Sequence, residues 1–415
     1  MKPHDANRPA PPLLLLVLLI AFPQLSETLC APVLPHIASA FGVTAAKAQL
    51  TMSIYFLAFA LGVVAWGRMA DQRGRRPAML VGLTCYAVGA GLALWAPGFG
   101  ALLMARFLLA FGASAGSVVV QTVLRDRYSG AQLAGVFSII GASLSLSPAL
   151  GPPAGAVLAL QFGHIGAFAL LALIGIGLWL ATHRWLAETR PQADSQHVRA
   201  TRLWAVAGRV TKDGRLWMAA AQVAGFNVIL FGYYTLAPFT LQQLGWPGWV
   251  FGLSGLAIAL GSVLGAWVNR RLLRHHAPRR LVQGAVVASV AVAVLQAGWV
   301  LLADDEPTRI LGGLILFQFL LMLAYGCAIP NLLATALEAY GDMRGTAAAL
   351  FGLVYYLMIA AGLGLLSVLH RGAVMYHPVA ILGVTLVLAA TLLYRGSRST
   401  PPGGDRFARL TFRSR

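Results

Sequence analysis

The chain has 415 residues, of which 58% are apolar and only 11% are charged, whereas a soluble globular protein is typically about 25% charged. Together with a mean hydropathy of +0.74, this composition excludes a soluble protein. Runs of about 20 apolar residues, long enough to cross about 30 Å of hydrocarbon as a helix, recur along the chain. We therefore expect an all-α integral membrane fold.

The net charge of +18 suggests nucleic acid as one class of partner. Whether this holds depends on where the lysines and arginines lie in the sequence. Nearly all of them lie in short polar segments between apolar runs, which is typical of membrane loops and not of a nucleic-acid surface. The three cysteines fall in three different apolar runs, so we expect no disulfide and no metal site.

Charged residues, glycine and proline end the apolar runs and predict twelve membrane spans. Their approximate bounds are 12–39, 50–69, 78–97, 100–122, 132–160, 164–186, 215–240, 248–270, 281–303, 309–336, 344–369 and 373–395. The first run resembles a secretory signal, but it continues past Glu27 without a cleavage pattern, so we expect a retained span. With the N-terminus inside, 27 of the 31 lysines and arginines face the cytoplasm, which predicts that both termini are cytoplasmic.

Two halves of six spans are predicted. The segments "LGVVAWGRMADQRGRR" and "LGSVLGAWVNRRLLR" end the second and eighth spans in similar ways, as expected for an internal repeat. The predicted organisation is a cytoplasmic N-terminal segment (1–11), a first half (12–186), a cytoplasmic linker (187–214), a second half (215–395) and a basic tail (396–415). Parallel repeats of this kind place a transporter's substrate site near the midplane between the halves.

The segment "GRMADQRGRRP" follows the second span. In it, Gly67 allows a neighbouring helix to approach, Asp71 is placed to accept hydrogen bonds or cap a helix, and Gly74 permits a turn. Three arginines can pair with acids or anionic headgroups: Arg73, Arg75 and Arg76. An ordinary positive-inside loop would have a similar composition, so this alternative stays open.

Two further motifs lie inside spans. "RFLLAFGASAG" begins at Arg106 in the fourth span, and "SPALGPPAGA" lies in the fifth. Small residues such as Gly151 and Gly155 permit close helix contacts, and prolines such as Pro152 bend a helix. A bent and tightly packed fifth span is suited to a gate.

The three motifs resemble those of the major facilitator superfamily: its loop G-x-x-x-D-x-x-G-R-R, its proton-coupling R-x-x-x-x-x-G and its antiporter G-P-x-x-G. "LRDRYSG", "ETRP" and "PNLLATALEAYGDMRGTAAALFG" are similar to the bicyclomycin/chloramphenicol-resistance group of twelve-span drug/proton antiporters. The resemblance covers about residues 10 to 395 and implies the major facilitator fold. Three departures stand out: Leu109 replaces a common Gln, Asn269 stands where the first half has Asp71, and Glu27 is displaced by one residue relative to the P-x-x-P that follows it.

Glu27 is the one acid predicted to lie deep in a span, and Arg106 is the one deep base at a similar depth. A deep carboxylate must sit in a wet cavity, pair with a cation or take up a proton. We hypothesise that Glu27 and Arg106 couple proton movement to transport. A static pair that fixes two helices is the alternative.

We also expect Asp71, Arg73 and Asp126 to form a charge cluster that closes the cytoplasmic face, with three independent loop charges as the alternative. Polar and aromatic side chains within the spans are candidates for substrate contact, because amphipathic ligands favour mostly apolar pockets with a few polar groups. These candidates are Gln24, Tyr55, Gln121, Asn227, Phe231, Tyr234, Gln318, Tyr325 and Tyr355.

An enzyme is not expected, because the chain has no phosphate-binding P-loop and its short "DDEP" loop lacks partner carboxylates for Mg²⁺. The predicted function is proton-coupled export of drugs or other amphipathic small molecules across a bacterial inner membrane by alternating access. Transport of a metabolite such as a sugar, amino acid or siderophore is the alternative. We expect no cofactor besides the proton gradient, a monomer surrounded by lipid, and no nucleic-acid partner.

Overall fold

The computed structural model describes residues 11–128, 130–190, 208–303, 306–338, 340, 344–370 and 374–396. Within these ranges the regular structure is helical, with no β-strand. Most of the predicted N-terminal segment, the linker residues 191–207 and the tail beyond residue 396 lie outside the described residues.

The first half begins with a helical segment that a single 3-10 turn interrupts. Its helices are α1 (Leu13–Cys30), a 3-10 turn (Ala31–Val33), α2 (Leu34–Ala40), α3 (Ala45–Arg73), α4 (Arg75–Leu94), α5 (Phe99–Arg127) and α6 (Gly130–Trp185). Pro32 lies in the 3-10 turn. α6 is interrupted by Gly163, which has φ 59° and ψ −146°. Glycine adopts this backbone conformation readily, whereas residues with a side chain rarely do. Gly163 lies where the fifth and sixth spans are predicted to meet.

The second half has six helices: α7 (Gly214–Gln243), α8 (Gly248–Leu272), α9 (Pro278–Leu302), α10 (Pro307–Thr335), α11 (Arg344–Leu369) and α12 (Tyr376–Gly396). Ten segments of the described chain are long and apolar enough to cross a membrane, with Ser147–Trp185 counted as one, and Tyr376–Leu392 is a shorter apolar helix. The all-α membrane fold is confirmed. The count of twelve spans stays a prediction. It would be met if α6 is divided at Gly163 and the shorter helix Tyr376–Leu392 is counted as a span.

Small residues pack the helices closely within each half. A Cβ added at Gly112 of α5 would lie 2.3 Å from the backbone nitrogen of Tyr86 in α4, and one at Gly62 of α3 would lie 2.6 Å from the carbonyl oxygen of Phe111. In the second half, a Cβ at Gly265 of α8 would lie 2.2 Å from the Leu323 carbonyl oxygen of α10. The end of α3 thus packs on α5 as the end of α8 packs on α10, in agreement with the repeat.

We call the side of the bundle that carries Arg73, Arg127 and Arg270 the arginine-rich face, and the opposite side the arginine-poor face. The halves meet towards the arginine-poor face, where α3 packs on α11 and α6 packs on α8. Gln49 Nε2 of α3 lies 3.0 Å from His370 Nδ1, directly after α11. The two halves are therefore in contact on this side.

Candidate functional site

Glu27 and Arg106 are both buried in the first half. The Glu27 side chain is 3% exposed and Arg106 is fully enclosed, because α1 and α5 pack on each other and on their neighbours. Both residues belong to the described chain and they form no ion pair, but the Arg106 charge acts on Glu27 through space. Arg106 Nη1 donates instead to Cys30 Sγ at 3.2 Å, and its guanidinium carbon lies 5.0 Å from the Tyr55 ring centroid.

Several polar atoms of this pair have no hydrogen-bond partner in the described part of the chain: Glu27 Oε1, Arg106 Nε and Arg106 Nη2. Buried polar atoms without partners are costly, and an unpaired buried charge is the costliest case. The site therefore offers one free acceptor and two free donors to a proton, a water molecule or a polar group of a ligand.

Glu27 lies inside the protein and does not face lipid, since it is only 3% exposed. The displacement by one residue, about 100° in an uninterrupted α-helix, does not turn Glu27 towards lipid. The 3-10 turn Ala31–Val33 changes the angular register between Glu27 and the prolines, because a 3-10 helix has three residues per turn.

Hydrogen bonds from α3 and α4 hold α1 beside Glu27. The Tyr55 hydroxyl donates to the Pro23 carbonyl at 2.7 Å, and Ser26 Oγ lies 2.6 Å from the Tyr86 hydroxyl. Ser26 and Tyr86 were not predicted as site residues. The sequence feature that could have identified them is the hydroxyl group that each carries inside an otherwise apolar span.

A cluster of aromatic rings joins the halves next to this site. The cross-half aromatic cluster consists of Tyr55, Phe56, Phe59, Phe231, Tyr234, Tyr355 and Tyr356. The ring centroids of Phe56 and Phe231 are 4.7 Å apart, and those of Phe59 and Tyr356 are 4.8 Å apart. Four substrate candidates belong to this cluster, namely Tyr55, Phe231, Tyr234 and Tyr355. Phe56 and Phe59 were missed, although their helical spacing from Tyr55 was visible.

The other substrate candidates are more dispersed. The Tyr325 hydroxyl donates to Asn227 Oδ1 at 3.4 Å, and Asn227 Nδ2 donates to the Val223 carbonyl oxygen at 2.8 Å. Gln24 and Gln121 are half-buried on α1 and α5. Gln318 is buried in α10, and its amide has no partner within the described residues.

Arg75 is the centre of the charge cluster on the arginine-rich face. Its Nε donates to Asp126 Oδ2 at 2.8 Å, and its Nη1 lies 3.6 Å from Asp71 Oδ1. The expected cluster contained Arg73, but Arg73 ends α3 with an exposed side chain, and the two acids meet Arg75 instead. Gly74, at φ 111°, then reverses the chain and brings Arg75 to Asp126. These contacts lie within the first half.

Glu188, after α6, caps the N-terminus of α4. Its carboxylate accepts from the backbone N–H groups of Arg75 at 2.9 Å and Arg76 at 3.1 Å, where the helix dipole favours negative charge. Asp71 was predicted as a possible cap, but its carboxylate is largely exposed and faces Arg75. Arg76 also reaches the end of α6, where its Nη2 donates to the His183 carbonyl oxygen at 2.8 Å.

Glycine is required at some motif positions and not at others. A Cβ at Gly155 would lie 2.1 Å from the Leu29 carbonyl oxygen, and one at Gly151 would lie 2.0 Å from Thr28 Oγ1, both in α1. In contrast, a Cβ at Gly67 would make an ordinary contact of 3.5 Å with Val118. The packing of α3 on α5 therefore does not require glycine at Gly67, whereas it does at Gly62.

The other side of α6 contacts the second half. A Cβ at Gly255 of α8 would lie 2.9 Å from Pro152 Cγ, and one at Gly252 would lie 3.2 Å from the Pro152 carbonyl oxygen. The "GPPAG" segment is thus packed between α1 of its own half and α8 of the other half.

The comparisons with known proteins agree with this architecture. Residues 16–363 match the family model described as "Major Facilitator Superfamily". An "Uncharacterized transporter" of Rickettsia bellii (strain RML369-C) is 30% identical over 92% of this chain and 96% of its own length. A "Chloramphenicol resistance protein" of Pseudomonas aeruginosa is 29% identical over 88% of this chain and 87% of its own.

A crystal structure of "the POT family transporter PepTSo" has the same fold, with a TM-score of 0.72 and 12% identity over 93% of this chain and 98% of its own. The helices, the match to the family model and the full-length relatives all lead to one conclusion. The chain is a multi-pass membrane transporter of small molecules, not an enzyme, and it belongs to the Major Facilitator Superfamily.

Proposed function

We propose that the protein is a proton-coupled exporter of drugs or other amphipathic small molecules, acting by alternating access in a bacterial inner membrane with both termini in the cytoplasm. The observation that carries this proposal is Glu27, a buried carboxyl of α1 whose Oε1 has no partner among the described residues. A carboxyl in this position is able to exchange a proton for a donor group of a ligand.

The surroundings of Glu27 suit an amphipathic ligand. The cross-half aromatic cluster offers flat apolar surfaces for stacking, while Glu27, Arg106 and the Tyr234 hydroxyl offer unpaired polar atoms. Apolar walls with a few polar groups are typical of small-molecule sites.

The contacts between the halves support a form that is closed on the arginine-poor face. If the arginine-rich face is cytoplasmic, as the positive-inside rule predicts, this form is open to the cytoplasm. A substrate would then bind from the cytoplasm or the inner leaflet and displace the Glu27 proton. The opposite form would release the substrate outside and take up a proton there.

The similarity to the Pseudomonas aeruginosa "Chloramphenicol resistance protein" supports a drug-like substrate over a metabolite. The proton gradient would supply the energy, and the proposed cycle needs no bound cofactor. A monomer suffices, because both halves of the site belong to one chain.

The test is expression in an efflux-deficient host challenged with chloramphenicol, bicyclomycin, dyes and quaternary cations. We expect protection against at least one of them, and we expect it to disappear with a proton uncoupler and with Glu27→Gln. The matched control is Glu306→Gln, which neutralises an exposed acid paired with Arg309 at 2.6 Å far from the site. Protection that survives Glu27→Gln would refute Glu27 as the proton site. No protection against any compound would favour the metabolite alternative.

A further inference from the structure

Arg106 is a fully buried arginine whose guanidinium has one edge without a partner. Its Nη1 donates to Cys30 Sγ at 3.2 Å, whereas Nε and Nη2 have no hydrogen-bond partner in the described part of the chain. The Nε–H and one Nη2–H lie side by side on one edge of the planar guanidinium, and this edge binds the two oxygens of a carboxylate in bidentate pairs. Arg106 therefore presents a bidentate donor edge that lacks an acceptor.

Neighbouring side chains hold this guanidinium in place. Its central carbon lies 5.0 Å from the Tyr55 ring centroid and 6.0 Å from the Phe168 ring centroid, and both rings are buried. The Tyr55 hydroxyl is itself bonded to the Pro23 carbonyl oxygen at 2.7 Å. Since a planar group fixed in this way loses little conformational entropy when it binds an acceptor, the free edge of Arg106 is preorganised for one.

The partners that Arg106 does have are weak ones for a buried charge. A thiol sulfur is a poor acceptor, and among the described residues Arg106 takes part in none of the ion pairs. Glu27 and Cys30 are three residues apart in α1, and side chains at this spacing are neighbours on one face of a helix. Because Arg106 contacts Cys30, its guanidinium lies about one helical turn from Glu27, yet the two groups do not bond to each other.

A cation and an acid that lie close together without pairing suit a ligand that carries both charges. A ligand carboxylate on the Arg106 edge and a ligand ammonium group on the ionised Glu27 would give each buried charge a partner, as buried charges require. A purely cationic ligand would leave the Arg106 edge empty. A purely anionic ligand would leave the Glu27 carboxylate without a donor.

We propose that this site binds amphipathic zwitterions, with the ligand carboxylate on the Nε–Nη2 edge of Arg106 and the ligand ammonium group on the Glu27 carboxylate. A short linker between the two ligand charges, such as the α-carbon of an amino acid, matches partners that lie about one turn apart on α1. The apolar part of the ligand packs on the cross-half aromatic cluster, to which Tyr55 connects Arg106. This inference rests on the proposed function, whose class of ligand it names.

The test compares two nearly isosteric probes, L-biphenylalanine and its carboxamide, by equilibrium dialysis against the purified protein in detergent. Both probes carry the same apolar group and an ammonium group, which is protonated at about pH 6.5, but only the first has a carboxylate. We expect the zwitterion to bind about tenfold more tightly, because charge-assisted bidentate hydrogen bonds are the strong ones. Any cost of opening the enclosed site is common to both probes, so the ratio of their Kd values reports the carboxylate alone.

Arg106→Lys keeps the positive charge and removes the bidentate edge, so we expect the preference for the zwitterion to fall to about twofold. The matched control is Arg309→Lys, which changes an exposed arginine that is paired with Glu306 and should keep the full preference. Equal Kd values of the wild type for the two probes would overturn the inference, whether or not Arg106→Lys folds. Failure of the wild type to bind either probe would overturn it too, as would a full preference in an Arg106→Lys protein that melts like the wild type.

The result is separable from that of the proposed function. Protection of an efflux-deficient host against chloramphenicol, abolished by a proton uncoupler, tests the function alone. Such protection combined with equal Kd values for the two probes would refute the zwitterion site and leave the proton-coupled export standing. Tighter binding of the zwitterion without protection against any compound would support the site and count against drug export.

Discussion

An added methyl group at Gly155 of α6 has a severe effect that can be worked out from the structure. Its Cβ would lie 2.1 Å from the Leu29 carbonyl oxygen and 2.7 Å from Pro32 Cγ. Ordinary contact begins at 3.4 Å, and the closest atom belongs to the backbone of α1, which has no rotamer with which to move away. In Gly155→Ala, α1 and α6 must therefore separate by about 1 Å.

Overpacking of this kind costs about 1–3 kcal/mol, against which alanine regains about 0.5–1 kcal/mol of helix propensity. We expect a net loss of about 1–2 kcal/mol. For a unit of 150–250 residues, the size of the first half, this corresponds to a melting temperature lower by about 2–8 °C. Thermal unfolding of the purified protein, followed by tryptophan fluorescence, measures the shift.

The matched control is Gly177→Ala in the same helix, where an added Cβ meets nothing within 4 Å. It should gain the helix propensity without the clash and melt slightly higher than the wild type. If both variants melt within one degree of each other, the close contact between α1 and α6 does not exist as described and the reasoning is refuted.

Two further predictions concern the faces of the bundle. Glu188→Gln should lower the melting temperature by a few degrees in the same unfolding assay, because two backbone N–H groups at the start of α4 lose a charged acceptor, at a cost of about 1–3 kcal/mol; an unchanged value would contradict the cap. On the arginine-poor face, burial lowers the pKa of His370 from its ordinary value of 6.5, so the closed contact with Gln49 is most stable above that pH and is lost as the pH falls through the lowered pKa. We expect spin labels at the exposed positions Lys47 and Trp249 to move apart on acidification below pH 6.5 in the wild type and not in His370→Gln.

The helical spans and the expected depth of the charges could be predicted from the sequence, because both follow from the order of residues along a single helix. Hydropathy marks where a helix lies in the membrane, and the rise of 1.5 Å per residue converts residue number into depth. Glu27 and Arg106, expected to be the deep acid and base, are both buried in the structure. That they do not pair directly was not predictable, because depth contains no information on side-chain direction.

Contacts between segments that are distant in the sequence were harder to predict. Three arginines within four residues, from Arg73 to Arg76, are equivalent by composition, and only the positive φ of Gly74 decides that Arg75 meets Asp126. Glu188 lies 113 residues after Arg75, so local capping rules that point to Asp71 could not identify it. The aromatic rings were predicted one by one, and only the packing of α3 on α7 and α11 makes them a single cluster.

The packing around α6 relates the deep carboxyl to the boundary between the halves. Gly155 contacts Leu29, which follows Glu27 by two residues, and Pro152 on the other side of α6 contacts Gly252 and Gly255 of α8. A shift of the second half on the arginine-poor face therefore acts on the helix that carries Glu27 through the contacts of α6. Gly155→Ala should weaken this link because it forces α1 and α6 apart, whereas Gly177→Ala, which meets nothing within 4 Å, should leave it intact.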